Sequence, residues 1–267
     1  MNSAFAHDRD EVVIAAAKAG VSTLVITGSS ERSSIDAAQY ARIMGEKLRT
    51  AGTIGGLYTT AGIHPHEAKS ANDGTLSVLR QLAAPQDDEP VVKAIGECGL
   101  DYNRNFSPRD VQCQWFAKQA ELAAELSLPL FLHERDAFTD FKAILSEHIK
   151  SVPAAVVHCF TGTSAELEHY LSLGCYIGIT GWICDERRGK HLQDLVRHIP
   201  SDRLMLETDA PYLLPRDLPF KVKSRRNESR FLPHIAETVA RCLGKDVQQL
   251  ARETYANSVR FFNLGSC

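Results

Sequence analysis

No stretch of this 267-residue sequence approaches the run of about 20 apolar residues that spans a bilayer, which excludes a membrane-crossing helix. The N-terminal Met1-Asn2-Ser3-Ala4-Phe5-Ala6-His7-Asp8 lacks the charged-then-apolar order of a secretory signal. The seven cysteines, Cys98, Cys113, Cys159, Cys175, Cys184, Cys242 and Cys267, are odd in number and form no Cys-x-x-Cys pair. Several lie in apolar segments, where a free thiol behaves as a small hydrophobe, so a reducing compartment, the cytoplasm, is expected. Positive charge is also short. A net charge of −3 gives no global pull on nucleic acid, so any polyanion must be held locally, by a basic segment or by bound cations. One basic segment exists: Lys221, Lys223, Arg225, Arg226 and Arg230 lie close together with only Glu228 opposing them, and taken alone it reads as a solvated loop. No second domain, internal repeat or low-complexity linker interrupts the chain. Residues 1–267 are expected to form one unit, of a size that α/β barrels routinely reach.

What the sequence does have is alternation. Short apolar, β-branched runs at 21–28, 57–64, 91–96, 128–133, 154–160, 175–181 and 204–208 are separated by helical patterns at 31–48, 108–126, 136–149, 164–173 and 188–199. Continuous apolar strands separated by helices imply a parallel sheet covered on both faces. Ser107-Pro108-Arg109-Asp110 has the form of a helix start, with a capping serine, proline at the first helical position and an acid in the first turn. Residues 246–262 have the pattern of a terminal amphipathic helix on the outside of the barrel. The predicted fold is α/β, a TIM-type (β/α) barrel. Seven strands can be counted where a closed barrel has eight, and the chain opens almost directly on a helix-like stretch at 7–19. The expectation is a barrel whose first strand is missing or truncated, with Met1 just after the place where that strand ends.

The residues that terminate the apolar runs are of the kinds that bind metals or transfer protons. His64 and His66 end one run, Glu97 follows the next, and then come His133, His158 and Asp209. In parallel α/β barrels the C-terminal strand ends converge on one mouth. Side chains alternate along a strand, so Glu97 is expected on the face of Ile95, His133 on that of Phe131 and His158 on that of Val156. If those apolar partners fill the interior, the acid and both imidazoles point into the mouth. Singly, each has a plainer reading: a hydrogen-bonded structural histidine, a Glu97 that caps the next turn, an Asp209 that forms one. Together they are costly to bury without a partner. A divalent cation is the natural one, and mixed nitrogen and oxygen donors suit Zn²⁺, Mn²⁺ or Mg²⁺. His7, His148, His169, His191, His198 and His234 lie away from strand ends and are given no role.

Five segments then carry a resemblance. Gly62-Ile63-His64-Pro65-His66, Ile95-Gly96-Glu97-Cys98-Gly99-Leu100-Asp101, Val157-His158-Cys159-Phe160-Thr161-Gly162, Glu207-Thr208-Asp209-Ala210-Pro211-Tyr212 and Ser224-Arg225-Arg226-Asn227-Glu228 closely resemble signatures of the TatD deoxyribonucleases, a branch of the amidohydrolase-like barrels. Thr180-Gly181-Trp182-Ile183-Cys184-Asp185-Glu186-Arg187-Arg188-Gly189 resembles the TatD branch itself. The resemblance implies a magnesium-dependent phosphodiesterase, including 3′→5′ exonuclease action on single-stranded DNA or RNA, with a part in DNA repair. It implies metal at Glu97, His133, His158 and Asp209, one or two ions. His64 would lie near the metal and the scissile phosphate with His66 beside it, and Arg226 and Asn227 would meet phosphate oxygens. The family's usual first strand, with two further ligands, has no counterpart here, which bears on the second ion.

In the chemistry this implies, Glu97, Asp209 and His64 are the catalytic candidates. Asp209 would orient or deprotonate water, Glu97 would bridge if two ions bind, and His64 would donate to a phosphate or leaving oxygen. Glu207 shares the parity of Asp209 and is a candidate for support behind the ligands. No membrane and no obligate protein partner is expected. The rivals are another metal-dependent hydrolase of small esters or amides on the same barrel, and a barrel that binds nucleic acid or protein without catalysis. A metal-free sugar-phosphate enzyme ranks low, since no Gly-rich loop follows the last strands.

Overall fold

The computed structural model describes residues 2–84 and 90–265; Met1, where the sequence places the end of a lost strand, and Cys267 lie outside the described residues. Seven strands run parallel in sequence order: β1 (Thr23–Ile26), β2 (Gly56–Ala61), β3 (Val92–Asp101), β4 (Leu130–Arg135), β5 (Ala155–Val157), β6 (Tyr176–Ile179) and β7 (Leu204–Leu206). Helices α1 (Arg9–Lys18), α2 (Glu31–Thr50), α3 (Asp73–Ala83), α4 (Arg109–Leu126), α5 (Phe138–His148), α6 (Ser164–Ser172), α7 (Lys190–Leu195), α8 (Leu232–Leu243) and α9 (Val247–Phe261) complete the fold. The sheet curls into a half-barrel. Among the described residues β1 pairs only with β2 and β7 only with β6, so it stays open between them. A cleft of about 800 Å³ follows that opening, with Val25 and Ile26 of β1, Met205 and Leu206 of β7, and Val12 and Phe262 among its lining. None of the helices among the described residues is long and apolar enough to cross a membrane.

Two apolar layers position everything else. One strand face packs outward under the helices, where Leu130 and Leu132 of β4 meet Phe116 of α4 and Phe141 of α5, stacked at 5.0 Å. The other face fills the interior with Ala94, Phe131, Val156, Tyr176 and Met205, one from each of β3 to β7, and with Val25 and Tyr58 packed against them. Residues 246–262 do form the expected helix, α9, preceded by its Asp246 cap, but its end is not on the outside. Phe261, Phe262 and Leu264 turn in and close the base of the interior layer, with Phe261 against Tyr176 at 5.3 Å.

Two local expectations are corrected. Ser107 does not cap α4: Pro108 occupies the cap position, and the Ser107 hydroxyl donates to His66 O and accepts from Lys69 N. The serine ties down the turn that carries the histidines, a better use of a fully buried hydroxyl than a helix end that solvent reaches. The face of Glu97 is the second. Ile95 points outward into the helical layer, yet Glu97 points inward. Strict alternation fails because β3 advances from Ile95 to Cys98 while β4 advances only from Leu130 to Leu132, which inserts one extra residue, a β-bulge. Gly96 occupies it with φ +139°, and a Cβ there would run into Phe131 O. The strand also does not end at Glu97 but continues to Asp101.

Candidate metal centre

The bulge of β3 delivers Glu97 to the middle of the mouth, where its Oε1 atom receives three imidazoles. His158 Nε2 lies at 2.9 Å, His133 Nδ1 at 3.1 Å and His64 Nε2 at 3.4 Å. The Phe131/His133 and Val156/His158 parities hold, so both rings stand directly above the interior layer. His64 sits at the end of the β2 run, where the fully buried Gln119 of α4 clamps its neighbour Ile63 through both backbone groups (2.7 and 3.1 Å). Asp209, in the turn after β7, is half-buried beside this cluster and feels His158, Glu97 and Glu207 directly. Its φ of +55° is a conformation that Asp tolerates better than most residues.

Electrostatics follow from burial opposed by neighbours. Burial alone would raise the Glu97 carboxyl, but His64 and His158, with hydrogen bonds from His133 and His158, hold it well below the usual carboxylate range. Burial likewise works against a charged His158, yet Glu97 and Glu207 on its two nitrogens hold it well above an ordinary imidazole. His133 is raised against its own burial by Asp101 and Glu97. For His64 burial outweighs Glu97 and lowers the imidazole below its ordinary value. Burial also dominates Asp209, whose carboxyl is pushed up to about 7.

This donor set fits a divalent cation on three observations. Glu97 Oε1 lies 2.9 Å from His158 Nε2 and 3.1 Å from His133 Nδ1, and His64 offers a ring nitrogen within 4.8 Å of Glu97 and His133. His133 Nε2 is buried without a hydrogen-bond partner, 3.5 Å from Asp101 Oδ2. Asp209 is a carboxyl pushed up to about 7 by burial and by the neighbouring Glu97 and Glu207, a cost that a cation beside it would offset. His158 shows the outer arrangement of a metal-bound imidazole: Nδ1 faces Glu207 Oε2 at 3.3 Å, which leaves Nε2 for an ion. Glu207 is held by the Cys159 N–H at 2.6 Å, and a methyl group at Gly178 would run into its Oε1. Glu207→Gln is therefore expected to raise the metal concentration needed for half-maximal activity by roughly 10–100-fold while leaving the rate at saturating metal closer to wild type. A metal titration of activity checks this.

His66, Arg226 and Asn227 are engaged differently from the plain sequence reading. His66 Nε2 is bonded to Asp101 Oδ2 at 2.7 Å, and its ring lies 4.7 Å from that of the exposed Phe106. The Arg226 guanidinium is spent on Asp8 (2.6 and 2.9 Å), Glu228 (2.8 Å) and Ala4 O (2.8 Å), and lies over the Phe5 ring. Asn227 is fully buried. It donates to Thr208 O, accepts from Glu228 N and gives its own N–H to Pro211 O, so it clamps the turn that holds Asp209 from both sides. Arg226→Ala is accordingly expected to loosen residues 2–18, read as faster amide exchange confined to that segment. Asp101 and Phe106 escaped the sequence reading. Asp101 was within reach as the acid that ends β3 two residues beyond Gly99, but nothing local announced that it would lie between His66 and His133.

Comparison with known proteins agrees with this geometry. The family model described as TatD related DNase matches residues 1–263. The chain is 50% identical over 261 residues to a 3'-5' ssDNA/RNA exonuclease TatD of Cronobacter sakazakii, covering 98% of this chain and 94% of that one. It is 51% identical over 260 residues to the protein of the same name from Erwinia amylovora, covering 97% and 95%. The solved structure of YJJV, a TatD homolog from Escherichia coli k12, superposes with a TM-score of 0.82 at 25% identity, covering 99% of this chain and 95% of that one. The chain belongs to the TatD related DNase family.

Proposed function

We propose that this chain is a divalent-metal-dependent nuclease that removes nucleotides from the 3′ end of single-stranded DNA or RNA, with Mg²⁺ as its usual ion. The observation that carries the reading is the convergence of three imidazoles on one Glu97 oxygen at the open mouth of a half-barrel. The exonuclease names of relatives at about 50% identity support the reaction class and the polarity.

Glu97, His133, His158 and Asp209 would hold the ion. When bound, a divalent cation lowers the pKa of water and neutralises charge on phosphoryl oxygens. The chain's own groups do the rest. Asp209 would orient the attacking water and accept its proton. His64 acts as a donor rather than a ligand: its Nδ1 accepts the His66 N–H at 3.1 Å, so the neutral ring carries its proton on Nε2, the atom that faces the centre. That proton serves a phosphoryl or leaving oxygen. His66 is oriented by Asp101 at the rim, where the exposed rings of Phe106 and Tyr212 offer faces on which unpaired bases stack. Lys221, Lys223 and Arg225 are exposed on the β7–α8 connection and suit the phosphate backbone. The free thiols of the described cysteines suit a cytoplasmic setting.

The test is digestion of 5′-labelled single-stranded DNA and RNA with Mg²⁺, Mn²⁺, Zn²⁺ or chelator. A ladder shortening from the 3′ end that disappears with chelator is expected. Hydrolysis confined to small esters or amides, or no metal-dependent turnover at all, would overturn the proposal.

A further inference from the structure

We propose that Cys184, Asp217 and His234 form a second metal site, of the zinc-binding class, which fastens the long connection between β7 and α8 to the body of the barrel. Cys184 ends the single helical turn Gly181–Cys184 after β6, Asp217 lies within the connection, and His234 stands in the first turn of α8. None of the three belongs to the mouth, and the proposal does not depend on the nuclease reading.

Three observations point to an ion. First, one sulfur, one carboxylate oxygen and one ring nitrogen from these separate segments all lie within 4.8 Å of one another. Second, one ring nitrogen of His234 faces the cluster and the other faces a further carboxylate. Nε2 faces the cluster, 2.7 Å from Asp217 Oδ1, while Nδ1 faces outward to Glu237 Oε2, 3.8 Å away and one turn along the same helix. In this structure Nε2 carries the ring proton to Asp217, and Glu237 is the nearest carboxylate to which Nδ1 could turn once the proton moves there and Nε2 coordinates. Third, there is an entry path: the Cys184 side is buried, but the Asp217 side chain is 35% exposed. A mixed thiolate, imidazole and carboxylate set selects Zn²⁺ over Mg²⁺, in contrast to the all-nitrogen-and-oxygen mouth. On binding, the Cys184 thiol would give its proton to solvent, the His234 ring proton would move from Nε2 to Nδ1, Asp217 would exchange its imidazole contact for the ion, and water would fill the fourth position. The alternative account is a hydrogen-bonded brace of the same three side chains with no ion.

The experiment uses the full chain, stripped of metal, carrying Glu97→Ala and His133→Ala to disable the mouth. Equilibrium dialysis against Zn²⁺ is expected to leave one bound equivalent. Adding Cys184→Ser or His234→Gln is expected to weaken that binding by more than the roughly 10–100-fold that follows loss of an outer partner. His234→Gln keeps an amide that can still donate to Asp217, so it preserves a brace while impairing a ligand. Should the mouth variant fail to fold, wild-type protein saturated with Mg²⁺ and titrated with Co²⁺ gives an independent reading: a thiolate-to-cobalt absorption band that Cys184→Ser abolishes and Cys159→Ser retains. No bound zinc, no thiolate band, or undiminished binding in both Cys184→Ser and His234→Gln would overturn the site.

Discussion

Glu97→Gln is expected to abolish metal-supported turnover while leaving the fold in place. Its Oε1 is the one atom on which His64, His133 and His158 all converge, so the amide removes a charge that the whole cluster shares. The loss in turnover should exceed the roughly 100-fold limit for removing a group that only orients a ligand. Stability responds less. Removing one partner of a buried pair typically costs about 3–5 kcal/mol when the other charge is stranded. Here the partners are imidazoles, which can release their protons near neutrality, so the metal-free variant should lose less than that. Each kcal/mol lowers the melting temperature of a chain this size by about 2–4 °C. The sign with pH is definite. Glu97 is held below its ordinary value of 4.5, so its contribution is present above pH 4.5 and fades as the pH falls further. Melts of both proteins in chelator should therefore converge in acid. If the variant retained more than roughly one-tenth of wild-type turnover, Glu97 would not be a ligand.

Asp209→Asn should produce the opposite combination, a dead enzyme that is more stable without metal. Burial pushes the Asp209 carboxyl from 3.8 up to about 7, so the folded state resists its ionisation more than the unfolded chain does. The resulting penalty is absent below pH 3.8, grows as the pH rises toward 7 and is constant beyond it. Asparagine carries no such penalty. In chelator at pH 8 the variant should gain on the order of a few kcal/mol over wild type, and nothing in strong acid. Added Mg²⁺ should reverse the order, since an ion at 100 times its Kd stabilises the wild type by about 2.7 kcal/mol and the variant hardly at all. Thermal melts with and without metal, alongside the nuclease assay, read both halves. Equal melting in chelator at pH 8, or wild-type turnover, would remove Asp209 from the centre.

How much of this was legible beforehand varies residue by residue. His133 and His158 were readable because β4 and β5 keep strict alternation, so Phe131 and Val156 announce which way the imidazoles two residues later will point. Glu97 was expected to point inward for a wrong geometric reason. Its parity partner Ile95 faces the helices, and only the extra residue at Gly96 returns the acid to the interior. A bulge has no apolar periodicity of its own, so pattern reading passes over it. Arg226 looked like a free cation because Asp8, its ion-pair partner, lies more than two hundred positions away in the sequence. His234 looked idle because Cys184 and Asp217 reach it from other segments.

The sequence by itself determined the strand-helix alternation, the number of strands among the described residues, and which residue types stand at the strand ends, because burial writes itself into local periodicity. The curl of the sheet decided the rest: that three distant imidazoles share one carboxylate oxygen, that Asp101 and Glu207 stand behind two of them, and that β1 and β7 face each other across an open cleft. Curvature arises from twist summed over the seven strands and from the register shifts of β3 against both neighbours, and no window of neighbouring residues contains that sum.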